Sequence, residues 1–290
     1  MEQVLALDIG GTKLEAGLVD VAGGVVWSAR CPTPGSADAR ALWSALTGLL
    51  GAVPAGAAPL GCGVGCGGPM LRGGERVSPL NIPAWRDFPL RSELARHTSL
   101  LTWVDNDAKA LALAEGWTGA AVGKSNYLSM VVSTGVGGGL VVDGRLVDGE
   151  AGNAGHVGHI TVVPDGRPCR CGARGCLEAE ASGLAIAGFT GAAPARAAPD
   201  VVERTGRLVG QGVASVANLL DLRLATVAGS VALGFGRPFF SAAQAELDSR
   251  ARLEYSAGCR IMPSALGSRG PLVGAGALAL RGLGRLGAPE

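Results

Sequence analysis

The sequence contains no run of basic charge. Its 25 lysines and arginines are balanced by 24 acidic residues, a net charge of +1, so a groove that holds nucleic acid by neutralising phosphates is not expected. Lysine is scarce; Lys13, Lys109 and Lys124 are the only three in the chain. A long uninterrupted apolar run is also missing. No charge occurs from Ala41 to Leu71, yet Pro54, Pro59, Pro69 and many glycines break that stretch, and a spanning helix needs about 20 apolar residues without such breaks. The start MEQVLALDIGG has neither the basic segment nor the small-residue cleavage site of a secretory signal. A cytoplasmic protein with no membrane partner is the expectation. The 48 glycines show no three-residue period, which excludes collagen. Seven cysteines are an odd number in a chain of 290 residues, too long to depend on a disulfide framework.

What is present is a globular composition, 48% hydrophobic and 17% charged, with length for two domains. VLALDIGGTKLEAGLVD reads as two strands in a hairpin around a glycine turn, and Val25–Ser28 as a third strand. Helical spacing follows at Ala39–Leu50, buried strands at Leu60–Val64 and Leu100–Val104, and a helix at Ala108–Trp117. Tyr127–Ser133 and Gly139–Val142 read as strands flanking TGVGGG. Helices are expected near Glu178–Gly188 and Val201–Leu220, a strand at Leu224–Ala228, and helices around Phe239–Arg252 and Ala275–Leu283. Alternating strands and helices make an α/β chain of two similar lobes, each opening with a glycine turn. The expected division is 1–105, joined by the C-terminal helix 275–290, and 106–274, which carries the cysteine loop 155–178.

Several segments can carry chemistry. In Asp8-Ile9-Gly10-Gly11-Thr12-Lys13 two glycines allow backbone N–H groups to approach a phosphate, and a carboxylate at a strand end suits Mg²⁺; an ordinary hairpin turn is the competing reading. Ser133–Gly139 is a second turn of this kind, with no following helix, so a dinucleotide fingerprint fits poorly. Val122-Gly123-Lys124-Ser125 imitates a P-loop but has Thr118 where the first glycine belongs, and reads as a surface loop. His159, Cys169, Cys171 and Cys176 offer one imidazole and three thiolates, a closed tetrahedral set suited to structural zinc. The remaining cysteines (Cys31, Cys62, Cys66 and Cys259) read as buried free thiols. His97 reads as a surface residue after a helix, and Asp107, by itself, as a helix N-cap.

Together these segments resemble the ROK (repressor, open reading frame, kinase) family of sugar kinases. The resemblance rests on LDIGGTK, on PLNIPAW at 79–85, on NDAKALALAEG at 106–116, on STGVGGG, on CRCGARGCLE after G-x-x-G-H, and on LVGAGAL at 272–278. It implies a two-lobed actin-like ATPase (ribonuclease H-like) sugar kinase fold with a structural zinc loop, and an active site between the lobes. It implies ATP-dependent phosphorylation of a hexose 6-hydroxyl, with Asp107 as general base. The resemblance assigns Asp8, Gly10, Gly11, Thr12, Lys13, Thr134, Gly135, Gly137 and Gly138 to the ATP phosphates. Gly229, Ser230 and a Gly274–Gly276 turn are assigned to the adenosine. Gly68, Asn81, Asn106, Asp107, His159 and Glu178 are assigned to the sugar. His159 would also ligate zinc.

Three positions depart from the family pattern. His156 stands where a glutamate is usual, in G-H-V-G-H; an imidazole offers one donor and one acceptor where a carboxylate accepts from two hydroxyls, so a glucose-like amino or N-acyl hexose becomes a candidate beside glucose. Ala228-Gly229-Ser230 replaces a double glycine, and Lys109 replaces an asparagine and is expected to face solvent. A regulatory sugar-binding member of the family is the alternative; a DNA-binding repressor would need a helix-turn-helix ahead of the first strand, which here begins by Val4. Use of polyphosphate would need a basic surface track. Relatives in this family suggest a homo-oligomer, dimer or tetramer.

Overall fold

The computed structural model describes residues 2–35 and 38–286. In chain order the strands are β1 Gln3–Ile9, β2 Lys13–Asp20, β3 Val25–Pro32, β4 Cys62–Cys66, β5 Thr102–Asn106, β6 Tyr127–Val132, β7 Val136–Val142, β8 Arg145–Leu146, β9 Leu224–Ala228 and β10 Arg260–Pro263. The helices are α1 Ala39–Leu50, α2 Leu90–Thr98, α3 Asp107–Thr118, α4 Leu177–Ala181, α5 Gly183–Thr190, α6 Pro199–Leu220, α7 Ser230–Arg250 and α8 Gly270–Gly282. Two compact units result, Met1–Thr118 with Asp148–Ala154 and Ser268–Glu290, and Gly119–Val147 with Gly155–Gly267.

The first unit is built on a five-stranded sheet of order β3-β2-β1-β4-β5. β1 and β2 form an antiparallel hairpin, whereas β1, β4 and β5 run parallel. Burial explains the difference between the sheet's centre and edge. β1 is buried from Val4 to Ile9, as a strand covered on both faces must be, while β3 at the edge alternates half-buried and exposed residues. α1 starts where the Asp38 side chain accepts from the Arg40 N–H, and it buries Leu42, Leu46, Leu49 and Leu50. The parallel register aligns Asp8 with Gly65 and Asp105, and Ile9 with Cys66 and Asn106. Three strands therefore deliver their carboxyl ends side by side, the usual place for a ligand in such sheets.

The second unit repeats that plan. Its sheet has the order β10-β9-β6-β7-β8, again an antiparallel hairpin (β6–β7) whose first strand is followed outward by two parallel ones. The similarity of the two lobes expected from their glycine turns is thus a similarity of topology. α6 and α7 pack closely, since a Cβ at Gly206 or Gly210 would meet the carbonyl oxygens of Phe239 at 2.4 Å and Ala243 at 2.2 Å. Among the described residues no helix is long and apolar enough to cross a membrane.

Several expectations need correction. The first unit does not end at residue 105. It runs on through α3, because α3 packs against α8, and it regains Asp148–Ala154 and Ser268 onward. The last helix begins at Gly270, not Ala275; residues 287–290 of the expected 275–290 lie outside the described residues. The helix expected at Glu178–Gly188 is two helices parted at Ser182, whose hydroxyl accepts from Ala185 N and so starts α5. α7 begins at Ser230, nine residues before the expected start. It is broken at Gly236 (φ 60°, ψ −144°) just before Pro238, and that break hides the first half from a periodicity search. β10 was not anticipated; only Ile261 in it is buried, so no alternation marks it. His97 lies within α2, in its last turn, and not beyond it.

Candidate functional site

In the first unit the turn after β1 is closed by Gly10 N–H donating to the Lys13 carbonyl at 3.0 Å. The Thr33 hydroxyl donates to Gly10 O at 2.6 Å. Gly11 lies against Asn81: a Cβ there would stand 2.7 Å from the Asn81 carbonyl oxygen. Only glycine lets the turn and the Asn81 loop approach this closely. That loop is tied to Gly68, whose carbonyl accepts from Leu80 N at 3.1 Å and which precedes Pro69 in a cis peptide bond. Sequence positions 10–13, 68 and 81 are thus gathered at one end of the sheet.

Asp8, at the end of β1, is only 7% exposed. Burial raises its carboxyl pKa to about 7, against the nearby Lys13 ammonium, while the charges of Asp107 and Glu15 push it further up. Lys13 Nζ stands 3.6 Å from Asp8 and also pairs with Glu15. Asp107 is the first residue of α3. The N-cap is its neighbour Asn106, whose side-chain oxygen accepts from Ala108 N at 3.0 Å and Lys109 N at 3.4 Å, so the cap role that Asp107 alone suggested belongs to Asn106. Asp107 itself accepts from Ala108 N at 2.9 Å, and a carboxylate in this first turn is favoured by the helix dipole. A Cβ on Gly65 would lie 3.4 Å from Asp107 Cα, which places Asp107 directly over the end of β4.

Lys109 does not face solvent. Its side chain is 2% exposed and its ammonium pairs with Asp105 at 2.9 Å and Asp148 at 2.8 Å. The i,i+4 spacing of Asp105 and Lys109 was a readable signal for part of this; Asp148, 39 residues away, was not. Gly274 is also reassigned. Gly274 and Gly276 form no turn; both are buried inside α8. A Cβ on Gly274 would meet the Ala110 carbonyl at 2.7 Å, so this glycine lets α8 and α3 touch.

In the second unit the glycine turn is shorter than expected. Ser133, Thr134 and Gly135 make the bend, with Ser133 N donating to Gly135 O at 2.9 Å. Gly137 and Gly138 are already in β7, paired with Val131 and Met130. Gly138 is buried, and its missing side chain makes room for Val157 at 2.7 Å. The bend is joined by the start of α7, where Ser230 Oγ lies 3.0 Å from Ser133 Oγ and Gly229 is the N-cap. It is joined also by α5, whose Gly183 N donates to Ser133 O at 2.7 Å. A tight bend beside a helix N-terminus suits an anionic ligand, and Ser133, part of the expected turn, joins this group although the resemblance assigns it no phosphate contact.

The cysteine loop brings its four expected residues together. One ligand atom each from His159, Cys169, Cys171 and Cys176 all lie within 4.8 Å of one another. Cys169 Sγ is 3.6 Å from His159 Nδ1, and Cys171 Sγ is 3.7 Å from Cys176 Sγ. A tetrahedral ion bonded at about 2.3 Å to sulfur and about 2.05 Å to nitrogen would hold its ligands about 3.8 Å (S–S) and about 3.6 Å (S–N) apart. The set is therefore compatible with a zinc site. The loop folds back at Gly175, where φ is +70° and a Cβ would collide with the Val163 carbonyl at 1.7 Å. Glu178, two residues after Cys176, accepts from Val136 N at 2.9 Å. Glu180, on the same helix, is buried and clamped by Arg167 of the loop and Arg204 of α6. His156 and His159 have ring centroids 5.9 Å apart.

The sequence model of the ROK family matches residues 4–282. This chain belongs to the ROK family. A glucokinase of Halalkalibacterium halodurans is 37% identical over 246 residues, 80% of this chain and 74% of the relative. An N-acetylmannosamine kinase of Escherichia fergusonii is 36% identical over 250 residues, 80% of this chain and 84% of the relative. A solved ROK family glucokinase of Streptomyces griseus, in complex with glucose and AMPPNP, is 28% identical and has a TM-score of 0.85; 96% of this chain and 99% of that one are covered. Two mixed sheets of this order, with their helices, are the actin-like ATPase fold of that ROK glucokinase. The expected family and fold are therefore both met.

Proposed function

We propose that the chain is an ATP-dependent hexose kinase acting on the 6-hydroxyl, with Asp107 as the general base. The observation that carries this reading is the convergence of Asp8 at the end of β1 with Asn106 and Asp107 at the end of β5, on either side of β4 in a parallel sheet, in a chain whose relatives include sugar kinases. Asp107 orients the sugar hydroxyl and accepts its proton as that oxygen attacks the γ-phosphorus of ATP. Asn106, Gly68 and Asn81 are the sugar-binding candidates of the first unit, and His156, His159 and Glu178 those of the second. In the first unit the Gly10–Lys13 turn, through its backbone N–H groups and the Lys13 ammonium, is the phosphate-binding candidate, and in the second unit the Thr134–Gly135 bend with Gly137 is the corresponding one. Gly229 and Ser230 stand at the adenosine side. Asp8, buried and carboxylate-bearing, fits Mg²⁺, which would neutralise charge building on the phosphates.

His159, Cys169, Cys171 and Cys176 would hold one structural zinc, whose chemistry is to fix the loop and the imidazole orientation. With Nδ1 turned to the thiolates, His159 keeps Nε2 for a sugar hydroxyl. His156 sets the preference. An imidazole there cannot accept from two adjacent hydroxyls as a carboxylate does, and the loss of such a contact costs about 1–3 kcal/mol. We assign the chain a hexose altered at C2 or C3, an amino or N-acyl sugar, in preference to glucose. The relatives include a glucokinase and an N-acetylmannosamine kinase at nearly equal identity, 37% and 36%, so the choice between them rests on His156.

The test is a coupled ADP-release assay over glucose, mannose, fructose, aminoglucoses, N-acetylglucosamine and N-acetylmannosamine, with the product's phosphate position read by NMR. Turnover of an amino or N-acyl hexose at C6, with a higher KM for glucose, is expected. Glucose preferred at low KM would overturn the assignment to altered sugars, and no turnover of any hexose would overturn the kinase reading.

A further inference from the structure

Lys109 begins a chain of contacts that the mechanism above does not use. Its ammonium has three acceptors, Asp105 Oδ1 at 2.9 Å, Asp148 Oδ1 at 2.8 Å and the Gly152 carbonyl at 3.2 Å. Three N–H donors thus meet three oxygens, in a side chain that is 2% exposed. Two of those oxygens belong to the segment Asp148–Ala154, which leaves the second unit's sequence and folds onto the first. The segment is closed on itself by Ala154 N donating to Asp148 O at 3.0 Å. It reaches further through Asn153, whose side-chain amide accepts from Met70 N at 3.1 Å and donates to Met70 O at 3.0 Å. Met70 is two residues from Gly68. Gly152, at φ +87°, lies so close to the same loop that a Cβ would stand 3.2 Å from Arg72 Cα.

We infer that Lys109 is a positioning residue for the sugar: it clasps the Asp148–Ala154 segment to the end of β5, and Asn153 in turn fixes the Gly68–Met70 loop relative to Asp107. The inference rests on the hexose kinase reading. Asp105 and Lys109 flank Asp107 by two residues on either side, so the base and the clasp share one rigid strand-to-helix junction. Asn153 supplies the two hydrogen bonds that a neighbouring strand would otherwise give to Met70. Lys109 and Asp105 are buried enough that removing the ammonium leaves the Asp105 carboxylate without compensation. Asp148 is the better point of attack, because its side chain is 40% exposed and lies outside α3.

Asp148→Asn and Asn153→Ala are expected to raise the KM for the sugar about tenfold, the size of a lost buried contact. The KM for ATP should stay within about twofold and kcat within about threefold. Hydrogen exchange of the amides at 149–154 and 68–72 should quicken in both variants. The double variant should be no worse than the stronger single one, because the two contacts act in series. Lys109→Met should show the same split if it folds; if it does not, the other two variants decide. A sugar KM equal to wild type in folded Asp148→Asn and Asn153→Ala overturns the inference, as does an equal rise in both KM values. Should wild type phosphorylate no hexose, the kinase reading fails by itself, and unchanged exchange at 68–72 in Asn153→Ala would then sink the clasp separately.

Discussion

The two units carry the same strand plan, yet they hold their functional residues by opposite means. In the first, Asp8, Gly68, Asn81, Asp107 and Lys109 come from positions a hundred residues apart and meet only because β1, β4 and β5 run parallel in register. The core beneath them (Leu7, Ile9, Val64 and Val104) fixes that register. In the second, the candidate metal ligands lie within eighteen residues, in a loop with two isolated bridges, Thr161–Cys176 and Pro168–Arg174, and no strand ladder of its own. A sheet positions groups by burying apolar area, whereas a loop of glycines and cysteines buries little and needs cross-links. Here those cross-links are the Cys/His set and the clamp of Arg167 and Arg204 on Glu180.

The largest effect should come from the first unit. Asp107→Asn removes the proton acceptor while leaving the first turn of α3 intact, and kcat should fall about 10²–10⁴-fold with sugar binding retained. Near-normal turnover in that variant would remove Asp107 from the mechanism. The second unit should answer to metal. Elemental analysis should find about one zinc per chain, and chelation or Cys176→Ser should lower both the melting temperature and sugar affinity, the latter about 10–100-fold. Protein purified without chelator and found to hold no metal would leave the loop to the Glu180 clamp alone.

A smaller effect bears on specificity. His156→Glu restores a second acceptor and should improve the glucose KM about tenfold relative to an N-acyl hexose; an unchanged ratio of the two would show that position 156 does not read the sugar. The smallest effect concerns stability. Burial lifts the Asp8 pKa from 3.8 to about 7, so the folded state holds this proton more tightly than the unfolded one. Stability from this group is complete below about pH 4 and is lost as pH rises through about 7. Urea midpoints should therefore show Asp8→Asn gaining on wild type between about pH 4 and pH 7 and levelling off above that, and a pH-independent difference would mean that this carboxyl titrates normally.

These contrasts also explain what could be read from the chain. The gathering of CRCGARGCLE and His159 was legible because a ligand set of this kind draws its residue types from one loop, whatever surrounds it. The Gly10–Lys13 turn and the strand before it were legible for the same local reason. Lys109 was misread because its partners include Asp148 and the Gly152 carbonyl, which only folding brings near. Gly274 was misread because a glycine serving helix contact and one serving a turn look alike in a sequence. The first half of α7 was lost to Gly236 and Pro238, which interrupt the period without ending the element.

The sequence by itself determined the family, the two hairpin turns, the candidate metal ligand set and the candidate base, since each depends on residue types at short spacing. Tertiary structure alone decided that Asp8 is buried beside the charge of Asp107, that Asn106 and not Asp107 caps α3, and that Lys109 turns inward. Those outcomes follow from strand register and from charges forced to find partners where water is excluded, and neither is written in any one segment.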